Sequence, residues 1–315
     1  MSTNTINGVQ SSTHNRGSNN FWQLTRASVD GLAQAIESGQ PEALSTYLGV
    51  MARFHTYSAR NAILIAAQFP KATHLEGVRS WNELGRFVRP GEKGIYILAP
   101  TVAVKNQNQA QAQAQAQEEV SAQDKKTKGK KAPESPKEAA QPERVLLGFR
   151  GVYVFDIAQT GGEQLPKSRK PVAVKETLAR LTDFAIAQGM TIEYADWLGA
   201  KKASSYRGVI RLQPGMKAGE ALPALLHEIA GQILYAIHRR TFVTRALHQQ
   251  ESKAVAFVVC EALGLEAKTA FADCQLYYGD SRLLAESLEV VHRTAAQILG
   301  AFSPEGLEDF TQEVQ

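Results

Sequence analysis

A segment without aromatic residues, residues 101–143, divides the apolar part of the chain in two. It contains a Gln-Ala repeat and a lysine-rich stretch over residues 125–131. A segment of this composition cannot bury enough apolar surface to become ordered. Runs typical of buried strands flank it, at Ile95–Leu98 on one side and at Val145–Phe149 and Val152–Phe155 on the other. We therefore predict a long insertion between two strands of one sheet.

The length of 315 residues and the composition predict a two-domain protein of the α/β, or α+β, class. Residues 1–20 are polar and are expected to form a flexible tail, as are residues 304–315. The first domain, of α/β type, is predicted over residues 21–165 and contains the insertion. A mostly helical second domain is predicted over residues 172–303, after a linker that contains two prolines.

Apolar periodicity and helix start and stop signals predict the elements of both domains. In the first domain, Ser80 and Glu83 have the spacing of a capping box and predict the start of a short helix. The other predicted helices lie at residues 28–37, from Pro41 onward, at 58–68, around 178–185, and at 222–238, 249–263 and 282–302, with further strands at 191–194 and 209–212.

Composition also limits where the protein is expected to act. Cys260 and Cys274 are too few for a disulfide framework, and the N-terminus lacks the pattern of a signal peptide. No apolar run approaches the roughly 20 residues that cross a bilayer. We expect a cytoplasmic protein with no membrane partner.

Basic charge is concentrated in the first half of the chain. Residues 1–169 carry 20 basic and 14 acidic side chains, whereas residues 170–315 carry 15 and 17. A groove for single-stranded DNA needs basic groups for the phosphates and aromatic faces for the bases. The same rings would also suit a core, and the lysine-rich stretch is either a second polyanion site or a solubilising loop. The candidate contacts are Arg60, Asn61, Arg86, Arg89 and Lys93, with Tyr57 and Trp81 as candidate stacking rings.

A His-Glu pair lies on a predicted helix of the second domain. His227 and Glu228 begin like the H-E-x-x-H motif, in which two histidines one turn apart bind Zn²⁺ and the glutamate is the general base. The second histidine position is Gly231, which supplies no ligand. Glu251 on the next predicted helix stands where a third ligand is expected, and His248 on the same helix face is a candidate substitute.

The chain from Phe21 to Phe302, apart from the insertion, resembles the ArdC-type antirestriction proteins of plasmids and other mobile elements. The resemblance implies an N-terminal single-stranded DNA-binding domain, similar to that of plasmid TraC-type primases, followed by a zincin-like metallopeptidase domain. In that family the position of Gly231 is a histidine, and the position of Lys253 is typically acidic. The blocks that carry the resemblance are Tyr57–Asn61, Gln68–Pro70, Trp81–Arg86, Pro90–Ile95, Tyr153–Asp156, His227–Ala230, Glu251–Val259, Tyr278–Asp280 and Leu284–Leu288.

We therefore predict a sequence-independent single-stranded DNA-binding protein of a mobile element. Its zincin-like domain is predicted to be degenerate, kept as a scaffold or a protein-interaction surface, with Glu228 as a vestigial catalytic residue. Two alternatives stay open: an active zinc peptidase with an irregular ligand set, and a protein-only inhibitor of restriction enzymes. The implied partners are single-stranded DNA and host restriction or SOS-related proteins, and the one implied cofactor is zinc.

Overall fold

The computed structural model describes residues 12–40, 42–105, 143–165, 173–237, 243–265 and 274–302. The chain forms two compact units, residues 1–97 with 151–315, and residues 98–150. The second unit contains the whole of the predicted insertion. The lysine-rich stretch, the linker, Pro41 and the predicted C-terminal tail lie outside the described residues.

The first helix is longer than the sequence predicts. Helix α1 spans Ser12–Glu37, so residues 12–20 of the predicted flexible tail are helical. Phe21, Val29 and Leu32 are buried along one face and anchor the helix. Extending an anchored helix adds one hydrogen bond per residue without a new nucleation cost, which explains why polar residues continue it.

The next two helices follow the prediction closely. Helix α2 spans Glu42–Arg53 and buries an apolar stripe that includes Leu48 and Met51. Helix α3 spans Ala59–Gln68, and its N-cap Ser58 accepts a hydrogen bond from the backbone N–H of Asn61. Ser58 thereby satisfies one of the donors that have no partner within the helix.

The predicted capping box is wrong. Helix α4 spans Val78–Glu83, its N-cap is Gly77, and Ser80 lies inside it. Trp81 is fully buried and its indole N–H donates to the carbonyl of Phe155 at 2.9 Å. Burial of this ring, rather than a capping side chain, fixes the short helix.

Two small sheets complete the N-terminal half. In the first, strands β1 (Leu75–Glu76), β3 (Ile95–Lys105) and β4 (Glu143–Asp156) are arranged in the order β1-β4-β3. The two strands predicted after the insertion are one continuous β4, and β3 and β4 are neighbours, as predicted. In the second sheet, β2 (Arg86–Val88) pairs antiparallel with β5 (Thr160–Gly162).

Asp156 connects these elements at the end of β4. Its buried carboxylate accepts hydrogen bonds from the backbone N–H groups of Thr73 at 2.6 Å, His74 at 3.0 Å and Ala158 at 2.9 Å. The side chain of Gln159 accepts from the Asp156 N–H and donates to the carbonyl of Lys93. This network holds the turn before β3 against the end of β4.

The C-terminal half begins with helix α5 (Val174–Ala187), followed by strands β6 (Thr191–Tyr194), β7 (Ala203–Tyr206) and β8 (Val209–Leu212). The strand order is β6-β8-β7, with β6 parallel and β7 antiparallel to β8. The sequence did not predict β7, because Ala-Ser-Ser-Tyr has little strand propensity; its pairing with β8 forms it.

Three long helices follow: α6 (Ala218–Ala236), α7 (Arg245–Ala262) and α8 (Ser281–Gly300). Helix α6 and helix α7 each begin four residues before the predicted start. Thr244 caps α7 by accepting a hydrogen bond from the N–H of Leu247. No helix in the described part of the chain is long and apolar enough to span a membrane.

One hydrophobic core crosses the domain boundary predicted near residue 165. Met51 and Ile63 of the N-terminal helices belong to the same buried cluster as Leu225, Val258 and Leu288 of the C-terminal helices. A smaller cluster, which includes Phe54, Ile65, Ile97 and Val154, lies beneath the β1-β4-β3 sheet. The mixed α/β class is confirmed, and helices from the two predicted domains share one core.

Candidate functional site

The outer face of the β1-β4-β3 sheet is aromatic. Along β3 and β4 the side chains alternate, and Ile95 and Val154 point to the buried face. Tyr96, Tyr153 and Phe155 occupy the opposite face, where Tyr153 is 63% exposed and the other two are half-buried. We call these three residues the aromatic face.

Two glycines allow the rings to lie flat against the neighbouring strand. A Cβ at Gly151 would overlap the ring and hydroxyl of Tyr96, and one at Gly94 would lie 2.9 Å from the Cβ of Tyr153. The Tyr96 and Tyr153 rings meet edge to face with centroids 5.5 Å apart. Any larger residue at either glycine would have to displace a tyrosine.

Gln68 holds Tyr96 from the edge of the sheet. Its side-chain amide donates to the Tyr96 carbonyl at 3.0 Å and accepts from the Tyr96 N–H at 2.9 Å. The pair of bonds substitutes for a neighbouring strand at this point of β3. Partial burial, together with the nearby Tyr153 hydroxyl, raises the pKa of Tyr96.

The predicted stacking rings are part of the core. Trp81 is fully buried, and Tyr57 packs edge to face against Phe54 with centroids 5.6 Å apart. Burial raises the pKa of Tyr57 to about 12. Asn61 is also buried, on helix α3. Trp81 and Asn61 are buried, so the structure gives these two side chains packing roles, whereas Tyr57 is half-buried and its role as a stacking ring stays a prediction.

The predicted basic contacts divide into two kinds. Arg86 is engaged internally: its guanidinium donates to the hydroxyl of Thr160 at 2.8 Å and to the carbonyl of Glu163. Arg60 and Arg89 are partly exposed, but Arg60 lies 4.1 Å from the Trp22 ring centroid and 3.5 Å from Glu289, and Arg89 lies 2.9 Å from Glu92. Lys93 is exposed, beside the glycine on which Tyr153 rests.

A cleft of about 1630 Å³ opens between α6, α7 and β7. His227, Glu228 and Gly231 of α6 line it, opposite His248 and Lys253 of α7. We call it the His-Glu cleft. The structure thus brings together the His-Glu pair, the empty second histidine position and the candidate substitute His248.

Glu251 does not join them. It is fully buried and accepts a 2.6 Å hydrogen bond from the hydroxyl of Ser287 on α8, and it does not line the cleft. Two residues further along α7, Lys253 lines the cleft instead. Two residues along a helix correspond to a rotation of about 200°, so the side chains of Glu251 and Lys253 point to nearly opposite sides of α7.

These residues do not fit a zinc ion. A zinc site needs at least three protein ligands, and among the described residues no group of three His, Cys, Asp or Glu side chains is placed to hold a metal. His227 is one candidate ligand, Gly231 provides none, and Glu251 faces Ser287. Burial lowers the pKa of His227, partly offset by Glu228, and positive charge on Lys253 lowers it further. The cation that repels a proton from His227 also disfavours a metal ion there.

Sequence reasoning missed two groups of residues. Tyr153 lies within one of the blocks of the resemblance, and its alternation with buried Val154 was the available signal for an outward face. Tyr206 and Tyr235, which line the cleft, gave no signal, because the strand that contains Tyr206 was not predicted and Tyr235 lies at the end of an apolar helix.

A family model and solved structures are similar to this chain. Residues 23–139 match the sequence model of the family described as the N-terminal domain of anti-restriction factor ArdC. The fold is similar to that of the antirestriction ArdC protein from the R388 plasmid. In its Mn(II)-bound structure the match has a TM-score of 0.50 at 18% identity, covering 93% of this chain and 99% of that one. In its metal-free structure the TM-score is 0.46 at 18% identity, covering 88% and 97%. No curated protein sequence matches the chain.

Proposed function

We propose that this chain, whose residues 23–139 match the family model of the N-terminal domain of anti-restriction factor ArdC, binds single-stranded DNA on the aromatic face of the β1-β4-β3 sheet, in the service of antirestriction. The observation that carries the proposal is the pair Tyr96 and Tyr153, outward on neighbouring strands and each seated on a glycine. Rings fixed on an open sheet offer stacking platforms for successive bases, and stacking does not depend on sequence.

The arrangement is preorganised, which favours binding. The Gln68 amide fixes the backbone at Tyr96, and the Asp156–Gln159 network fixes it at Lys93 just before, so that little conformational freedom remains to be lost when a base stacks. Lys93 supplies an exposed ammonium group next to Gly94, at a position suited to a phosphate. The buried Trp81 fixes the backbone at Phe155 by donating a hydrogen bond to the Phe155 carbonyl.

Fluorescence anisotropy with labelled oligo(dT) and a matched duplex, at two salt concentrations, tests the proposal. We expect preference for the single strand, and binding about tenfold weaker in Tyr153→Ser and in Tyr96→Ser, because each variant removes one stacking platform. Lys93→Gln should lower the salt slope by about 0.7, the value for one lost phosphate contact.

Tyr194→Ser is the matched control, because Tyr194 is 72% exposed on strand β6 of the other half of the chain. It should bind as the unmodified protein does. An equal loss in the control and the two sheet variants, or no binding at low salt, would contradict the proposal.

A further inference from the structure

The His-Glu cleft is more positive than the region that contains it. Residues 170–315 carry a slight excess of acidic side chains, 17 against 15 basic ones. A cleft lined by one sign of charge concentrates ligands of the opposite sign. The lining therefore points to an anionic ligand. Its charged residues are Lys201, Lys202, Arg207, Arg245 and Lys253 against Glu220 and Glu228.

Exposed aromatic rings accompany the charge. Tyr206 is 64% exposed and Tyr235 84% exposed, and both line the cleft. The guanidinium of Arg207 lies 5.2 Å from the centroid of the Tyr206 ring. Open rings beside basic groups are the combination that binds the bases and phosphates of a single strand. The carboxylates of an acidic peptide would pair with the basic side chains but would not stack on the tyrosine rings.

The backbone at Arg207 is unusual. Its φ of +48° is the one positive value at a non-glycine among the residues that the structure describes. Asparagine or glycine adopts this conformation more readily than arginine. The hairpin is held from outside, because Gln232 accepts from the Gly208 N–H and donates to the Ser205 hydroxyl, both at 3.0 Å. Arg207 and Gly208, whose φ is +82°, are the two central residues of the β7–β8 hairpin, and a two-residue type I′ turn requires positive φ at both, so the turn fixes Arg207 at the tip of the hairpin.

We propose that the His-Glu cleft is a second contact site for single-stranded DNA. Arg207 and Lys253 contact phosphates, and Tyr206 and Tyr235 offer faces to bases. The inference rests on the proposed function, because the ligand is the same strand. The cleft then contributes affinity without a metal ion, which agrees with the position of Lys253 beside His227.

The test compares full-length variants for binding of labelled oligo(dT). Arg207→Gly removes the charge and suits the positive φ, so the hairpin is not strained by the change. We expect binding about fivefold weaker in Arg207→Gly and in Tyr235→Ser, and a salt slope lower by about 0.7 in Arg207→Gly. Arg180→Gln, an equal charge change on the exposed face of α5, is the control and should bind normally.

The outcomes separate this inference from the proposed function. If the unmodified protein binds oligo(dT), and Tyr153→Ser weakens binding while Arg207→Gly and Tyr235→Ser do not, the cleft site is wrong and the sheet site stands. If Arg207→Gly weakens binding and Tyr153→Ser does not, the cleft site stands and the sheet site is wrong. Binding of labelled hexaglutamate that depends on Arg207, with oligo(dT) binding independent of it, would assign the cleft to acidic peptides and overturn the inference.

Discussion

Gly151 on the aromatic face and Gly231 in the His-Glu cleft differ in how much room the surrounding atoms leave for a side chain. At Gly151 an added Cβ would overlap the Tyr96 ring, so the aromatic face requires glycine. At Gly231 an added Cβ would lie 3.4 Å from the Ser252 hydroxyl and 3.9 Å from the His248 ring, which are ordinary contacts. Packing therefore dictates glycine on the sheet, whereas the fold does not require glycine at position 231, one helical turn after His227.

The largest expected effect is on stability, at Trp81. It tests whether this ring is a buried packing residue, unlike the outward rings of the aromatic face. Trp81→Ala should lower the free energy of unfolding by about 3–5 kcal/mol, because it empties a fully buried site. Trp81→Phe keeps most of the ring and should cost less. Urea denaturation measures both. An unchanged stability together with lost DNA binding would return Trp81 to the role of a contact residue.

Gly151→Ala addresses the comparison directly. We expect a loss of up to about 3 kcal/mol in the free energy of unfolding, because the Tyr96 ring must move, and weaker oligo(dT) binding for the same reason. In Tyr96→Ala the clash is absent, so the added cost of Gly151→Ala should largely disappear in the double variant. Additive losses measured by urea denaturation would show that the two positions are not coupled.

Low pH should reduce the free energy of unfolding because of one buried histidine, His292. His292 on α8 is buried, and its Nε2 lies 3.3 Å from the Phe54 carbonyl. Burial lowers the pKa of His292 to about 4. The unfolded chain, with a pKa near 6.5, then binds the proton first, so stability is complete above that pH and falls as the pH drops toward 4.

The expected loss between pH 7 and pH 5 is about 2 kcal/mol from this residue. His292→Gln cannot titrate and can still donate to the Phe54 carbonyl, so its urea midpoint should fall less over the same pH range. Equal pH dependence in both proteins would show that His292 is not the cause.

The sequence predicts local features of the fold better than it predicts which way a side chain faces. Helices α2 and α3 follow from their apolar spacing and from Ser58, since these signals are local. Trp81 was assigned to DNA because residue type does not show which way a ring faces; its bond to Phe155, 74 residues away, decides that. Tyr153 shows the reverse case, because only the pairing of strands across the insertion made its face an outer surface.

The same limit applies to the metal ligands. Spacing placed Glu251 near His227, and helix periodicity would have shown that Glu251 and Lys253 point in different directions. Whether Glu251 or Lys253 faces the cleft depends on how α7 is rotated about its axis between α6 and α8. No local sequence pattern determines that rotation. The buried Ser287 hydroxyl, which binds Glu251, settles it.

Introducing metal ligands into the His-Glu cleft tests whether Lys253, and not Glu251, faces His227. Gly231→His combined with Lys253→Glu should bind Zn²⁺ about tenfold more tightly than Gly231→His alone, because a carboxylate replaces a cation beside His227. Glu251→Gln in the same background should leave zinc affinity unchanged, since Glu251 faces Ser287. Competition with a zinc-sensitive dye measures all three. Loss of affinity on Glu251→Gln would contradict the observed orientation of α7.

The smallest effect completes the comparison of the glycines. Gly231 lies inside helix α6, where alanine is favoured over glycine by about 0.5–1 kcal/mol, and the added methyl makes only ordinary contacts with Ser252 and His248. Gly231→Ala should therefore raise the free energy of unfolding slightly, in contrast to the loss expected for Gly151→Ala. Urea denaturation of the two variants side by side decides the point. If Gly231→Ala were the more destabilising, glycine in the cleft would be a packing requirement, and the freedom inferred for this position would be wrong.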